Sequence, residues 1–464
     1  MTTENLAFFS TFLRADQILT APNDLAYYGK DVSKQFAANP SVVLLPGTKE
    51  QVCAILKTCS ERRIAVVPSG GRTGYSGGAT ATAGEVILSL AKLNRVIEVN
   101  LIDQTISVEA GVTTETVRTK ALESGLYYGV DFTSKGSSHI GGNIATNAGG
   151  IRVIRYGNTR DWVLGLTVVL PNGELLQCNG KLFKNQTGYD LKSLFIGSEG
   201  TLGVIVEAVL KLTRVPRDSR LCLCGVSDPN VALDVLADLR KRFTVNMFEY
   251  FERSGLELVT SHTALADPFR EKHPCYLLIE VEAPYAEDRT AFENTLADFL
   301  EKGVITDAVL SESTRHSQEL TGLRELIGEV ANKHYVPHKN DISVPVPSMP
   351  EFLRQLRLLF TERYPQYRSI IFGHVGDGNL HVNVLKPDGA TNEEFFKACE
   401  TIDKDLFSVV RKFQGSISAE HGVGLLKKPF LHFSRTEREI ELMRSLKRMF
   451  DPLGILNPGK IIDA

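Results

Sequence analysis

A segment near the carboxyl terminus carries histidines at a spacing that suits a metal site. Residues 373–384 have the sequence GHVGDGNLHVNV, in which the Asp-Gly pair is a strong turn signal between two extended stretches. His374 and His381 flank the turn, so both side chains can face one site. Asn383 follows His381 by two residues and therefore shares its face of the strand.

A second segment, SAEHGVG at 418–424, adds a carboxylate and another histidine. Two histidines and one carboxylate are a usual ligand set for catalytic zinc, which keeps one position open for a substrate. The same set also describes the facial triad of non-haem iron, and a histidine taken alone is more often an ordinary hydrogen-bonded residue. The joint occurrence of His374, His381 and Glu420 indicates a metal centre.

Three glycine-rich clusters lie upstream and have the composition of a groove for a phosphate-bearing cofactor. They are SGGRTGYSGGA at 69–79, KGSSHIGGNIATNAGG at 135–150 and IGSEGTLG at 196–203. Glycine lets backbone amides approach a phosphate closely. The first cluster leads into another strand rather than a helix, which disfavours a Rossmann turn, and no Walker motif occurs. Tight turns in a β-rich domain are the alternative for any single cluster.

The intervening sequence predicts the elements that hold these segments. Residues 42–46 and 64–68 are typical of strands, and Thr48 with Gln51 forms a capping pattern for the helix between them. Beyond Pro216, helical patterns alternate with strand patterns, which favours an α+β domain with an antiparallel sheet.

The expected fold class is therefore α+β, with a two-part cofactor domain built from a small β-α-β unit and a β-rich unit. We expect an N-terminal segment at 1–40, the cofactor domain at 41–215 and a substrate and metal domain at 216–430. A helical segment at 431–464 is expected to return to the cofactor domain.

Bulk composition excludes some functions. A net charge of -3 over 464 residues disfavours nucleic acid as a partner. No apolar stretch is long enough to span a bilayer, and the first ten residues lack the pattern of a secretory signal. Seven scattered cysteines fit reduced thiols, so we expect a cytoplasmic protein.

The glycine clusters, together with NPGK at 457–460, resemble the FAD-binding signatures of the vanillyl-alcohol-oxidase-type flavoproteins, and the resemblance covers nearly the whole chain. GHVGDGNLH and AEHGVG are similar to the branch of FAD-linked D-2-hydroxy-acid dehydrogenases. Some relatives attach FAD through a histidine in the first cluster, and none lies between residues 69 and 80, so the resemblance implies non-covalent FAD. A flavin makes metal redox chemistry unnecessary, which favours zinc, with manganese second.

The resemblance also implies residue roles. The metal ligands fall on His374, His381 and Glu420, and the catalytic base falls on His421. Substrate contacts are implied at Arg324, Lys339, Asn383 and His421. Without the resemblance, the sequence favours an ordinary solvated face for both Arg324 and Lys339. Gly328 stands where related enzymes can carry a hydroxyl residue. FAD contacts are implied at Pro68, Ser69, Gly70, Gly71, Arg72, Thr73, Gly74, Gly77, Gly78, Gly136, Ser137, Gly141, Gly142, Asn143, Thr146, Gly149, Gly150, Gly200, Val204, Ile205, Asn457 and Lys460.

Within that branch the chain is most similar to bacterial D-2-hydroxyglutarate dehydrogenases. The expected reaction is FAD- and metal-dependent oxidation of D-2-hydroxyglutarate to 2-oxoglutarate by hydride transfer from the α-carbon to the flavin, with D-malate as a further substrate. D-lactate dehydrogenase and a flavin-carrying electron-transfer subunit are the alternatives. No nicotinamide motif is visible, so we expect electron-transfer flavoprotein or a quinone-linked acceptor as partner; monomer and homodimer are both open.

Overall fold

The computed structural model describes residues 3–33 and 35–463, and the chain forms two compact units. The first unit comprises Met1–Gly150, Gly157–Val215 and Glu420–Ala464. The second comprises Ile151–Tyr156 and Pro216–Ala419. Both units combine sheets with helices, so the predicted α+β fold class is confirmed.

The helices are spread over the whole chain. None in the described ranges is both long enough and apolar enough to cross a membrane. They are α1 Thr3–Phe9, α2 Pro22–Tyr28, α3 Lys49–Arg62, α4 Thr114–Glu123, α5 Ile140–Thr146, α6 Val153–Tyr156, α7 Thr159–Trp162, α8 Lys192–Phe195, α9 Val231–Arg242, α10 Arg253–His262, α11 Ala286–Glu301, α12 Thr314–Glu325, α13 Ile327–His334, α14 Met349–Arg363, α15 Asn392–Lys412 and α16 Glu437–Phe450.

The strands fall into separate sheets for the two units. The first eleven belong to the first unit and the others to the second. They are β1 Ile18–Leu19, β2 Val42–Leu44, β3 Val66–Ser69, β4 Val86–Ser89, β5 Val96–Asn100, β6 Thr105–Glu109, β7 Leu126–Tyr127, β8 Val163–Val169, β9 Leu175–Cys178, β10 Val204–Lys211, β11 Thr213–Arg214, β12 Ser219–Val226, β13 Val245–Glu252, β14 Cys275–Glu282, β15 Asp307–Leu310, β16 Pro337–Ser343, β17 Arg368–Gly373 and β18 Asn379–Leu385.

The first unit contains the predicted β-α-β arrangement and a second, larger sheet. Helix α3 connects β2 to β3, both of which pair in parallel with β4 in a sheet of order β1-β2-β4-β3. The side chain of Thr48 accepts the amide of Gln51 at 3.3 Å, as the capping pattern predicts. The larger sheet has the order β5-β6-β10-β8-β9 and is antiparallel.

The second unit is built on one antiparallel sheet of order β15-β12-β14-β13-β17-β18-β16. Buried residues of α10, α12 and α13 form one core with side chains of β13 and β17, so these helices cover one face of the sheet. Helix α15 packs on the other face, where His338 and Asn340 of β16 both contact Asp403 at 2.8 Å. Side chains alternate along a strand, so the remaining face of β16 presents Lys339 and Asp341.

Candidate active site and metal centre

The hairpin of β17 and β18 positions the histidines of the predicted metal site. Five residues, 374–378, connect the strands, and the His374 carbonyl accepts the amides of Asp377 and Gly378 at 3.0 and 3.1 Å. Gly378 has φ 91°, and a Cβ there would lie 2.3 Å from the Val344 carbonyl oxygen, so the turn requires glycine. The predicted turn is therefore confirmed, and it holds His374 and His381 at the same end of the hairpin.

Two of the predicted metal ligands come together within the second unit. The imidazole centroids of His374 and His381 are 5.5 Å apart. Glu420 directly follows Ala419, whose amide donates to Asp341 Oδ2 of β16 at 3.1 Å. That contact fixes the chain one residue before the carboxylate. Two imidazoles and one carboxylate are a donor set that suits a divalent cation and leaves room for a further ligand.

A carboxylate lies beside the Nδ1 atom of each of the two histidines. Glu249 Oε1 lies 2.7 Å from His374 Nδ1, and Asp341 Oδ1 lies 3.7 Å from His381 Nδ1. Asn379 donates to Asp341 Oδ1 at 2.8 Å and so holds that carboxylate in place. A histidine that ligates a metal usually donates its other ring nitrogen to such a carboxylate, because this fixes its tautomer and orientation.

His421, the predicted base, has contacts within the first unit. Its ring centroid lies 4.9 Å from that of Tyr75, and its carbonyl accepts the hydroxyl of Ser76 at 2.9 Å. These contacts hold the residue after Glu420 in a defined position.

Arg324 is buried, contrary to the alternative of a solvated helix face. It is 4% exposed near the end of α12, and its guanidinium lies 2.8 Å from Glu249 Oε2 and 4.7 Å from the Phe372 ring centroid. Its Nε and Nη2 have no hydrogen-bond partner among residues 3–33 and 35–463, so the contact with Glu249 is an ion pair without hydrogen-bond geometry. A buried donor left unpaired costs about 1–3 kcal/mol, so these nitrogens are suited to receive an anion.

Lys339 and Asn383 lie directly opposite each other on β16 and β18. Lys339 is half-buried, whereas Asn383 is 2% exposed. The Asn383 amide nitrogen is a second buried donor without a hydrogen-bond partner in the part of the chain that the structure describes. Asp341 is opposite His381 two residues further along the same strands, so the predicted substrate contacts and one histidine share a sheet face.

Two glutamates of these sites were missed from the sequence. Glu249 is 1% exposed on β13 and contacts both His374 and Arg324. Glu199, in the third glycine cluster, accepts the amides of Val423 and Gly424 at 2.6 and 2.8 Å. It is half-buried as a residue, but protein surrounds its carboxylate, and that burial raises its pKa to about 7. An acidic residue inside an apolar strand or a glycine cluster is the only local signal for either one.

The first two glycine clusters meet within the first unit. A Cβ on Gly70 would lie 3.5 Å from the Cβ of His139 and 3.7 Å from the Cα of Gly142, and one on Gly142 would meet nothing within 4 Å. The hydroxyl of Ser69 and the Nδ1 of His139 are buried without hydrogen-bond partners in the described ranges. Open space beside unpaired polar atoms is what a polar cofactor such as FAD requires.

The C-terminal motif joins the first and third clusters. The side-chain amide of Asn457 donates to the carbonyls of Gly78 and Glu199 at 3.0 and 2.7 Å. Lys460 is 1% exposed, its Nζ lies 3.8 Å from Glu85 Oε1, and burial lowers its pKa. These contacts give both residues a structural role within the first unit, beside the FAD contacts expected of them.

Other expected FAD residues differ in what they touch. Asn143 donates to Thr114 Oγ1 at 2.6 Å, and Thr146 donates to the carbonyl of Gly142 at 3.1 Å, so both side chains already have partners within the unit. A Cβ on Gly71 would lie 2.1 Å from the Ser137 carbonyl oxygen, and one on Gly150 would lie 2.0 Å from that of Asp131. Glycine is required at both positions for backbone packing, whatever the cofactor.

Comparison with known proteins places the chain among flavoproteins. Residues 40–179 match the family model described as an FAD binding domain, and residues 215–461 match that of the FAD linked oxidases, C-terminal domain. The D-2-hydroxyglutarate dehydrogenase of Xanthomonas citri pv. viticola is 46% identical over 467 residues, covering 100% of this chain and 98% of the relative. That of Stutzerimonas stutzeri is 46% identical over 457 residues, covering 98% of each.

More distant proteins share the fold. A putative mitochondrial D-lactate dehydrogenase of Schizosaccharomyces pombe is 34% identical, covering 96% of this chain and 86% of the relative. Among solved structures, p-cresol methylhydroxylase superposes with a TM-score of 0.79 at 18% identity, covering 99% of this chain and 96% of its own. Alkyldihydroxyacetonephosphate synthase gives 0.74 at 19%, covering 99% and 86%. At these identities the two structures show the fold alone.

The fold and the family matches define a flavin-dependent oxidoreductase. The chain belongs to the FAD-linked oxidase family, as the sequence motifs predict, and it is an FAD-dependent hydroxy-acid dehydrogenase.

Proposed function

We propose that the enzyme oxidises D-2-hydroxyglutarate to 2-oxoglutarate, accepts D-malate as a further substrate, and depends on a divalent metal, with zinc favoured and manganese second. The observation that carries the proposal is the pairing of His374 and His381 on one hairpin, with Arg324 joined to His374 through Glu249. The names of the relatives that match over the whole chain support the same substrate.

The chemistry divides between the bound groups and the protein. When bound, FAD supplies the acceptor for the hydride that leaves the α-carbon, and a metal held by His374, His381 and Glu420 supplies positive charge that lowers the pKa of the substrate hydroxyl. His421 accepts the hydroxyl proton on a ring nitrogen. Removal of that proton and of the α-hydrogen with its electron pair converts the alcohol to a ketone.

The substrate class follows from two cations, Arg324 of α12 and Lys339 of β16. D-2-Hydroxyglutarate carries two carboxylates, and a dicarboxylate needs more cationic contacts than D-lactate does. Arg324 and Lys339 supply them, because a guanidinium can hold a carboxylate with two parallel hydrogen bonds and an ammonium holds it as a compact charge. The unpaired Asn383 amide offers one further donor. D-lactate oxidation is the second candidate, and the name of the fission-yeast relative favours it.

The electron acceptor is proposed from the lack of a nicotinamide-binding motif in the sequence. The sequence has no nicotinamide-binding motif, so we expect electron-transfer flavoprotein or a quinone-linked acceptor as the electron acceptor. The cytoplasmic location stays a prediction.

The decisive experiment combines metal analysis with a substrate screen on purified protein. Acid precipitation should release yellow FAD into the supernatant, since no histidine lies in the first glycine cluster. With an artificial dye as acceptor, kcat/KM should be highest for D-2-hydroxyglutarate and D-malate. Equal or faster turnover of D-lactate would overturn the dicarboxylate proposal. A preparation that is active without zinc or manganese would overturn the proposed metal dependence.

Single-residue variants test the ligands. His374→Ala, His381→Ala and Glu420→Ala should each lose bound metal and activity while FAD remains, because a two-ligand site holds a metal poorly. The exposed His432 provides a matched control, since His432→Ala removes an imidazole that has no proposed ligand role. Full metal content in all three ligand variants would contradict the assignment.

A further inference from the structure

One buried carboxylate contacts both the proposed metal site and the proposed substrate site. Glu249 lies on β13 and is 1% exposed. Its Oε1 is 2.7 Å from His374 Nδ1, and its Oε2 is 2.8 Å from Arg324 Nη2. Each oxygen therefore has a different functional partner, and the two partners come from different elements of the second unit.

The contact with His374 determines which ring nitrogen is available to a metal. A carboxylate can only accept a hydrogen bond, so Nδ1 carries the proton and donates it to Glu249. The other nitrogen, Nε2, then has its lone pair free for coordination. Partners of this kind are worth about 10–100-fold in metal affinity in other metalloproteins.

The contact with Arg324 holds a cation that has few other constraints. The guanidinium lies 4.7 Å from the ring centroid of Phe372, and its Nε has no hydrogen-bond partner among the described residues. A buried cation needs a counter-charge, and Glu249 supplies it through an ion pair at Nη2 that lacks hydrogen-bond geometry. The counter-charge keeps the guanidinium beside Glu249, while Nε and Nη2 can still donate hydrogen bonds to an incoming anion.

We propose that Glu249 is a positioning residue that couples metal binding to substrate-carboxylate binding. Anything that moves this carboxylate must disturb His374 and Arg324 together, because one rigid group orients both. The inference rests on the proposed function, since it assigns the metal to His374 and the substrate carboxylate to Arg324.

A neighbouring pair on the same sheet separates this role from ordinary structural pairing. Glu280 of β14 is 8% exposed and holds Arg152 with contacts of 3.1 and 2.8 Å. It is a buried glutamate with an arginine partner, like Glu249, but it contacts neither a proposed ligand nor a proposed substrate residue in these pairs. Glu280→Gln is therefore the matched control for Glu249→Gln.

The test measures zinc affinity and steady-state kinetics in both variants. Glutamine offers one accepting oxygen in place of two, so it can satisfy only one of the donors that face Glu249. We expect Glu249→Gln to bind zinc about 10–100-fold more weakly in a chelator competition. At saturating zinc its KM for D-2-hydroxyglutarate should rise by about tenfold, the scale of one lost charge-assisted contact. Glu280→Gln should change neither value, even if its melting temperature falls.

The outcomes distinguish failure of the positioning role from failure of the proposed function. Unchanged zinc affinity and KM in Glu249→Gln would overturn the positioning role, provided that the wild type binds zinc. A wild type that binds no metal would instead refute the proposed metal centre, and a raised KM alone would then assign Glu249 to Arg324 only. If Glu249→Gln does not fold, Glu249→Asp replaces it, since a side chain one methylene shorter cannot span both partners.

Discussion

Replacing Lys339 by methionine should change substrate preference rather than general activity. Lys339 is half-buried on β16, directly opposite Asn383, and methionine keeps most of its length while removing the charge. If the ammonium holds the carboxylate that D-2-hydroxyglutarate has and D-lactate lacks, only the dicarboxylate should lose a contact.

The size of the effect follows from the kind of contact that is lost. A hydrogen bond to a charged group contributes about 1.5–3 kcal/mol, and each 1.4 kcal/mol corresponds to about a tenfold change. In Lys339→Met, kcat/KM for D-2-hydroxyglutarate should therefore fall by about 10–150-fold. D-lactate should be affected by less than about threefold, because truncated substrates never form the contact.

Dye-coupled assays with the two substrates, run side by side on metal-replete enzyme, measure this ratio. Lys333→Met is the control, because it removes an equal charge from an exposed position of α13. An equal loss of kcat/KM with both substrates would show that Lys339 contacts a group that the two substrates share. Unchanged turnover of D-2-hydroxyglutarate would refute the dicarboxylate reasoning.

Three further predictions concern the base, one helix and one buried acid. His421→Ala should keep FAD and metal but lose about a hundredfold or more in kcat, and wild-type-like anaerobic flavin reduction with metal present would eliminate it as the base. Gly328→Ala should raise the unfolding free energy by about 0.5–1 kcal/mol in urea, because a Cβ at that position of α13 meets nothing within 4 Å; a loss of stability would mean that the space is not available. Burial raises the pKa of Glu199 from 4.5 to about 7, so the folded protein retains a proton that the unfolded chain releases, and stability falls as pH rises between those values. In Glu199→Gln the melting temperature should decline less from about pH 5 to about pH 8, and an identical decline would contradict the shift.

Local patterns predicted the elements well. The cap at Thr48, the parallel pairing around α3 and the hairpin at 374–378 each depend on residues that are close in sequence. The proximity of His374 and His381 belongs to the same class, because one turn brings the two side chains together. Helix α5, which lies within the second glycine cluster, was not predicted, because Gly141, Gly142 and Asn143 all have low helix propensity.

Burial of charged groups was not predictable in the same way. The residues around Arg324 have the composition of any amphipathic surface helix, and nothing local indicates that its guanidinium points into the unit. It is buried because Glu249, on a strand remote in sequence, provides the counter-charge. That pairing is a property of the tertiary structure, and a single sequence contains no periodicity that reports it.

One signal was nevertheless present. Strand β13 has the sequence VNMFEYFE, and all but its last residue are buried. An acid in such a strand cannot stay ionised without a cation or donors, so Glu249 by itself indicates a buried partner of opposite charge. The sequence does not identify that partner, because any arginine, lysine or histidine of the chain can supply the opposite charge. The same holds for Glu199, whose partners are backbone amides of the segment that follows His421. An isolated acid in an apolar strand or a glycine cluster thus indicates, from the sequence alone, that a supporting contact exists. When the residues of a motif are already known, such acids are the first positions to mutate.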